Sequence, residues 1–380
     1  MKIQINQSDL SKHISIAQRG ISNRTTLPIL DGILLETIDD RLKITSTDLE
    51  ISIETYVDCN VEEAGSIVIN SRVFGDIVRK LPSSLIEIEV TYNDEVRNMN
   101  IKCEKSEFNI VGNDPKEYPR IPYVKEDNSI DIPTELFKNA VRQTVFAASQ
   151  EELRPSLTGV LLEIKSGSIS FVALDGFRLA LKKIDIDSEV ETKMIVPART
   201  LNEITKIVED KDRVINISFE GKESASLSNE ANNICFNLSD TVIYSKLLEG
   251  QFFNYEDIIR KDHESSLMVN KRSLQNSLER ASLLAKAEKA NLVLLDIDES
   301  SLSIKSQSEI GNVHENVDIE LDGEEVKIAF NARYLLEGIK TIDSEEIELN
   351  FMGSLNPCII NPVGDQGHIY LVLPVRSSNL

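Results

Sequence analysis

The 380-residue chain contains no tryptophan, four cysteines and four histidines, and aromatic residues make up only 5%. Each scarcity removes a class of function. Cys59, Cys103, Cys235 and Cys358 stand far apart, so no Cys-x-x-Cys unit exists for zinc or redox work. A disulfide framework is not expected in a long chain read as cytosolic, and the four thiols are expected as small apolar residues in strands. His13, His263, His314 and His368 show no ligand spacing, so neither a metal nor a cofactor is expected. No apolar run approaches the ~20 residues of a membrane helix. The opening Met1-Lys2-Ile3-Gln4-Ile5-Asn6 alternates like a strand and lacks the apolar core of a signal peptide, so a cytoplasmic protein without a membrane partner is expected. Walker, GxGxxG, HExxH, GxSxG and EF-hand patterns are all missing, which speaks against an enzyme. Positive charge is also short: 41 Lys and Arg face 63 Asp and Glu, a net −22, and such an average field repels phosphate.

What the chain has is repetition. Ile69-Asn70-Ser71-Arg72-Val73-Phe74-Gly75-Asp76-Ile77, Val196-Pro197-Ala198-Arg199-Thr200-Leu201-Asn202-Glu203-Ile204 and Phe330-Asn331-Ala332-Arg333-Tyr334-Leu335-Leu336-Glu337-Gly338-Ile339 share one pattern, with their arginines 127 and 134 residues apart. The same offsets superpose Leu34, Leu161 and Leu295, and the first offset pairs Asp48 with Asp175. Each repeat reads as strand, helix, strands, then strand, helix, strands. Leu10, Ile14, Ala17 and Ile21 lie at helical spacing after Ser8 and Asp9, both good N-cap types. The second helix of repeat one stops before Pro82. Runs such as Leu85 to Val90, Val214 to Phe219 and Ile347 to Phe351 alternate with period two, as strands with one buried face do. Polar stretches from Asp114 to Ile130 and from Asn254 to Glu264 read as linkers. The expectation is an α+β chain of three tandem domains, 1–127, 128–254 and 255–380, each with two helices packed on antiparallel sheets.

Charge is segregated along this pattern. The six expected helices, 8–24, 71–80, 134–149, 198–208, 270–290 and 331–340, hold 17 Lys and Arg against 7 Asp and Glu. Their net +10 leaves −32 on the rest of the −22 chain. Helix propensity favours Glu as much as Lys or Arg, so propensity alone does not produce this bias. A repeated basic helix face against an acidic exterior suits phosphate contact. No helix-turn-helix, zinc finger or stacking motif offers base reading.

Thr26-Leu27-Pro28-Ile29-Leu30, Thr47-Asp48-Leu49-Glu50, Asp175-Gly176-Phe177-Arg178-Leu179-Ala180, Lys246-Leu247-Leu248-Glu249-Gly250-Gln251-Phe252 and Phe330-Asn331-Ala332-Arg333-Tyr334-Leu335 together resemble the bacterial sliding-clamp family, the beta subunits of DNA polymerase III. The resemblance runs from Met1 to about Arg376. It implies a head-to-tail homodimer, a six-domain ring with twelve helices lining the hole. Such a ring encircles duplex DNA without sequence specificity, is placed there by an ATP-driven clamp loader, and tethers the DNA polymerase III alpha subunit, other polymerases and repair proteins, conferring processivity. Helix charge points to Arg72, Arg79, Lys80, Arg142, Arg199 and Lys206 as DNA-facing; the resemblance adds Arg24 and Gln150. It also implies a cleft for short linear motifs, formed by Leu157, Leu174, Gly176, Phe177, Arg178 and Leu179, by Phe253 and Ile258, and by Leu355, Leu373, Pro374, Val375 and Arg376. The family usually has Thr at the position of Leu174 and Pro at that of Phe253. Phe108 and Ile110, on an expected edge strand, and Leu283 and Leu284, on a helix, are the implied subunit interface. The rival readings are an enzyme with a nonstandard site and an acidic scaffold that binds proteins without encircling DNA. Asp175 reads as a turn residue instead of a catalytic acid, because Asp48 matches it and Asp-Gly fits a tight turn.

Overall fold

The computed structural model describes residues 1–22, 27–93, 96–121, 124, 128–151, 153–209, 211–220, 233–259, 262–287 and 290–376. Six α-helices stand among them: α1 (Gln7–Ala17), α2 (Ser71–Lys80), α3 (Thr134–Thr144), α4 (Ala198–Ile207), α5 (Lys271–Ala285) and α6 (Ala332–Ile339). All sheet pairings are antiparallel, with two helices in each repeat. Asn70, Asn270 and Asn331 cap α2, α5 and α6, each side chain accepting a backbone N–H of the first turn.

Three helices are shorter than expected. α1 begins at Gln7, so Ser8 and Asp9 lie inside its first turn and not at its cap. Asp9 there still favours the positive helix end. The helix tightens to a 3₁₀ turn at Gln18–Gly20 because the backbone at Gly20 presses on the strand Arg41–Thr47. A Cβ there would lie 2.4 Å from the Ser46 hydroxyl, which donates to the Ala17 carbonyl at 2.6 Å. α3 gives way to a 3₁₀ turn at Val145–Ala147, where the Phe146 carbonyl turns to accept from Arg178. α5 ends at Ala285, ahead of Asn291, which takes a positive φ of 46°. Among the cysteines, Cys103, Cys235 and Cys358 sit in strands, whereas Cys59 lies between two; all four are free thiols.

The chain forms two compact units that cut across the repeats: Met1–Thr134 with Glu203–Leu247, and Glu135–Asn202 with Leu248–Leu380. In the first, an eight-stranded sheet joins repeat two to repeat one where Thr241–Lys246 pairs with Ile51–Asp58. In the second, a nine-stranded sheet joins repeat three to repeat two where His368–Val372 pairs with Arg178–Asp185. The two seams have the same register. Ile51 faces Ser245 and Thr55 faces Thr241; a shift of 127 residues on both strands gives Arg178 facing Val372 and Lys182 facing His368.

Two strands in equivalent places end their sheets instead. Ser106–Gly112 is the outer strand of a five-stranded sheet in the first unit. Gly311–Asp318 is the outer strand of a four-stranded sheet in the second. Beneath the sheets lie apolar cores. In the first unit Ile3, Ile5, Leu10, Ile14, Phe74 and Ile88 pack α1 and α2 onto strands. Burial of each such side chain is worth roughly 1.5–3 kcal/mol.

Candidate functional site

One apolar cluster in the second unit gathers Leu157, Leu174, Leu179 and Leu371, with Phe252, Ile258 and Leu373 packed against it at partial exposure. Its rim is set by a tight turn. The Asp175 carboxylate accepts the backbone N–H of Phe177 at 2.9 Å and of Arg178 at 3.1 Å, and Gly176 takes φ +90°. Asp48 builds the same turn 127 residues earlier, accepting from Glu50 at 3.1 Å and Ile51 at 2.9 Å. Both aspartates are turn residues, as their spacing suggests.

The turn throws Phe177 outward, 58% exposed, where its ring stacks on Tyr334 of α6 at 6.0 Å and 23°. Arg178 goes inward and is 6% exposed. Its Nε donates to Asp175 at 3.0 Å, one terminal nitrogen to Glu337 and the other to the Phe146 carbonyl at 2.9 Å. The guanidinium lies 4.7 Å from the Tyr334 ring centre and 5.4 Å from that of Phe146. Leu373 N–H donates to the Phe177 carbonyl at 2.8 Å, which ties the run Leu373, Pro374, Val375 to the same rim. Leu373, Pro374 and Val375 are half-buried and Arg376 is exposed. Phe253 and Leu355 are exposed at 54% and 69%. Leu174 is thus buried, 5% exposed, and Phe253 presents an exposed ring.

On the helices, Arg72, Arg79 and Lys80 are exposed on α2, Arg142 on α3, and Arg199 and Lys206 on α4; Gln150 is exposed after α3. Arg24 lies outside the described residues. Several of these cations have acidic neighbours. Arg142 contacts Asp343 at 2.5 Å and the Thr341 carbonyl at 2.8 Å; Lys206 contacts Glu203 at 2.8 Å; Arg79 is 3.5 Å from Asp76. Arg72 and Lys80 make no ion pair among the described residues. Exposed pairs of this kind hold little energy, ~0–1 kcal/mol, and a phosphate can displace them.

Phe108, 39% exposed, and the half-buried Ile110 lie on the edge strand Ser106–Gly112. Leu283 is 68% exposed and Leu284 half-buried on α5. Sequence reasoning missed Tyr334, Phe146, Asp175 and Glu337 as rim residues. Asp175 lies three residues from Arg178, but Phe146, Tyr334 and Glu337 lie 32, 156 and 159 residues from it, and only their contacts with Phe177 and Arg178 identify them. Among the described residues there is no group of three or more His, Cys, Asp or Glu that could hold a metal ion, and no helix is long and apolar enough to cross a membrane.

Three family models match in tandem: the N-terminal domain of the DNA polymerase III beta subunit over residues 1–122, its central domain over 131–254 and its C-terminal domain over 256–376. The beta sliding clamp of Bacillus subtilis is 34% identical over 390 residues, covering 99% of this chain and all of the relative. That of Staphylococcus epidermidis is 34% identical over 388 residues, with the same coverage. The crystal structure of the Bacillus subtilis DNA polymerase sliding clamp superposes with a TM-score of 0.92 at 34% identity, covering 99% of both chains. The beta subunit of the Streptococcus pyogenes polymerase gives 0.92 at 27% identity, over 99% of this chain and 100% of that one. With three tandem α+β clamp domains and full-length likeness of this degree, the chain belongs to the family of DNA sliding clamps, the beta subunits of DNA polymerase III.

Proposed function

We propose that two copies of the chain close head to tail into a ring that encircles duplex DNA and tethers polymerases and repair proteins to it. The observation that carries this reading is the repeated seam. Twice, the last strand of one repeat pairs with the fourth strand of the repeat before it, in one register. Two strands of those kinds end their sheets: Ser106–Gly112 of repeat one and Gly311–Asp318 of repeat three. An uncovered strand edge is a pairing template. A second copy supplies the missing partner at each, and two such seams close the ring and cover both of these edges. Phe108 and Ile110 of one copy then meet Leu283 and Leu284 of the other.

In this reading the domains are 1–127, 128–254 and 255–380. Arg24, Arg72, Arg79, Lys80, Arg142, Gln150, Arg199 and Lys206 face phosphates, which positions DNA without reading bases. The apolar cluster around Leu157, Leu174, Leu179, Ile258 and Leu373 receives apolar side chains of an extended partner segment, such as one from the DNA polymerase III alpha subunit or the clamp loader. The protein acts by tethering, not by turnover.

The test is retention on DNA of different topology. The protein is loaded with clamp loader and ATP onto nicked circular plasmid, and the complex is gel-filtered before and after linearisation. Co-elution with the circle and loss from the linear form is the expected result. Equal retention on both forms rejects encirclement and favours an acidic scaffold that binds by ordinary contact.

A further inference from the structure

The cleft carries two arginines by family resemblance, Arg178 and Arg376, yet the structure uses them differently. Every nitrogen of Arg178 already has an internal acceptor: Asp175, Glu337 or the Phe146 carbonyl. Glu337 does more than accept from Arg178. Its other oxygen accepts from Nε of Arg333, one turn earlier on α6, at 2.7 Å. Two carboxylates, Asp175 and Glu337, thus face two guanidiniums, Arg178 and Arg333, and the group is neutral. Burial pushes the Glu337 carboxyl up, but the hydrogen bonds from Arg333 and Arg178 outweigh it and hold it below the usual range. Tyr334 lies between Arg333 and Glu337 in sequence, and its ring carries Phe177 on one side and Arg178 nearby. Arg376 is exposed and makes no ion pair among the described residues.

We infer that Glu337 is a positioning residue that cancels and fixes the charge of the cleft's aromatic wall, so that partner segments are selected there by apolar side chains and acidic ones gain little from Arg178 or Arg333. The inference rests on the reading of this cluster as a partner-binding cleft. Removing the Glu337 charge while keeping its shape leaves one guanidinium uncompensated beside the Phe177–Tyr334 stack. One unit charge about 5 Å from an acidic side chain in a wet site changes affinity by about fourfold at low salt, and the effect fades as salt screens it.

The experiment is fluorescence anisotropy with the full-length protein and two labelled peptides. One carries the clamp-binding segment of the cognate DNA polymerase III alpha subunit with a neutral flank; the other has two aspartates in that flank. In Glu337→Gln the preference for the acidic peptide over the neutral one should rise about fourfold over wild type at 20 mM salt and return to the wild-type ratio near 0.5 M. Glu337→Asp, which keeps the charge, should leave the ratio at the wild-type value. Should Glu337→Gln fold poorly, Arg333→Gln on the exposed face of α6 removes one positive charge and should lower the ratio by a similar factor. An unchanged ratio in both Gln variants, or equal weakening of both peptides, overturns the inference while leaving the cleft in place. Failure of wild-type protein to bind either peptide removes the cleft reading and this inference with it.

Discussion

Single residues in this chain are governed by what surrounds them more than by their type. Gly338 sits inside α6, where alanine would ordinarily stabilise a helix by ~1 kcal/mol. A Cβ at that position would come within 2.0 Å of the Tyr370 ring, and Tyr370 is fixed by donating to the Tyr334 carbonyl at 2.6 Å. Overpacking of this kind costs ~1–3 kcal/mol and outweighs propensity. Gly338→Ala is therefore expected to lower the urea midpoint with an unchanged slope; a raised midpoint would mean that Tyr370 moves aside freely. His368 makes a second case. Its ring is 1% exposed and neither nitrogen has a hydrogen-bond partner among the described residues. Burial, aided by Lys182 and Arg142 and opposed by Asp365 and Asp343, pushes its pKa from 6.5 down to about 4. The unfolded chain therefore binds the extra proton first. The stability tied to neutral His368 is complete above pH 6.5, falls as pH drops from there toward 4, and totals ~3 kcal/mol. Unfolding curves of wild type and His368→Gln should diverge in slope against pH across that window, and parallel curves would refute the assignment.

At the scale of elements, ends are decided by caps and by neighbours. Asn270 accepts the Ser273 N–H at 3.0 Å and the Glu345 carbonyl accepts the Lys271 N–H at 2.9 Å, so α5 starts sharply. Asn270→Ala should cost ~1 kcal/mol, read as a drop in thermal midpoint, and no drop would show that the Glu345 contact suffices to hold the first turn. The far ends of α1 and α3 lie where periodicity still favours helix. They stop because Gly20 must approach Ser46 and because the Phe146 carbonyl is claimed by Arg178. Both causes come from residues at least 26 positions away, so no local pattern reports them. The Asp48 and Asp175 turns are the opposite case, because each side chain bonds backbone two and three residues on.

At the scale of the molecule, pairing and not sequence continuity defines the compact units. Repeat two is divided, its first sheet built onto repeat three and its second onto repeat one. The head-to-tail reading makes the exposed Leu283 of α5 part of a self-interface. Leu283→Asp would bury an unpaired charge there and should shift the protein from dimer to monomer in sedimentation velocity, with its thermal midpoint as monomer little changed. A variant that remains fully dimeric would place the interface elsewhere.

The triplication, the strand alternation, the turn aspartates, the segregation of charge onto helices and the family are all legible in the residues alone. All of these are written in spacings of a few residues or in an offset repeated along the chain. Tertiary structure alone decided which strands join across repeats, where three helices stop, and that Arg178 is consumed internally by Asp175 and Glu337. Those outcomes depend on contacts between residues far apart in the chain. The buried Arg178 and the exposed Arg376 read alike in sequence, and only burial and the placement of two carboxylates separate a fixed charge from an available one.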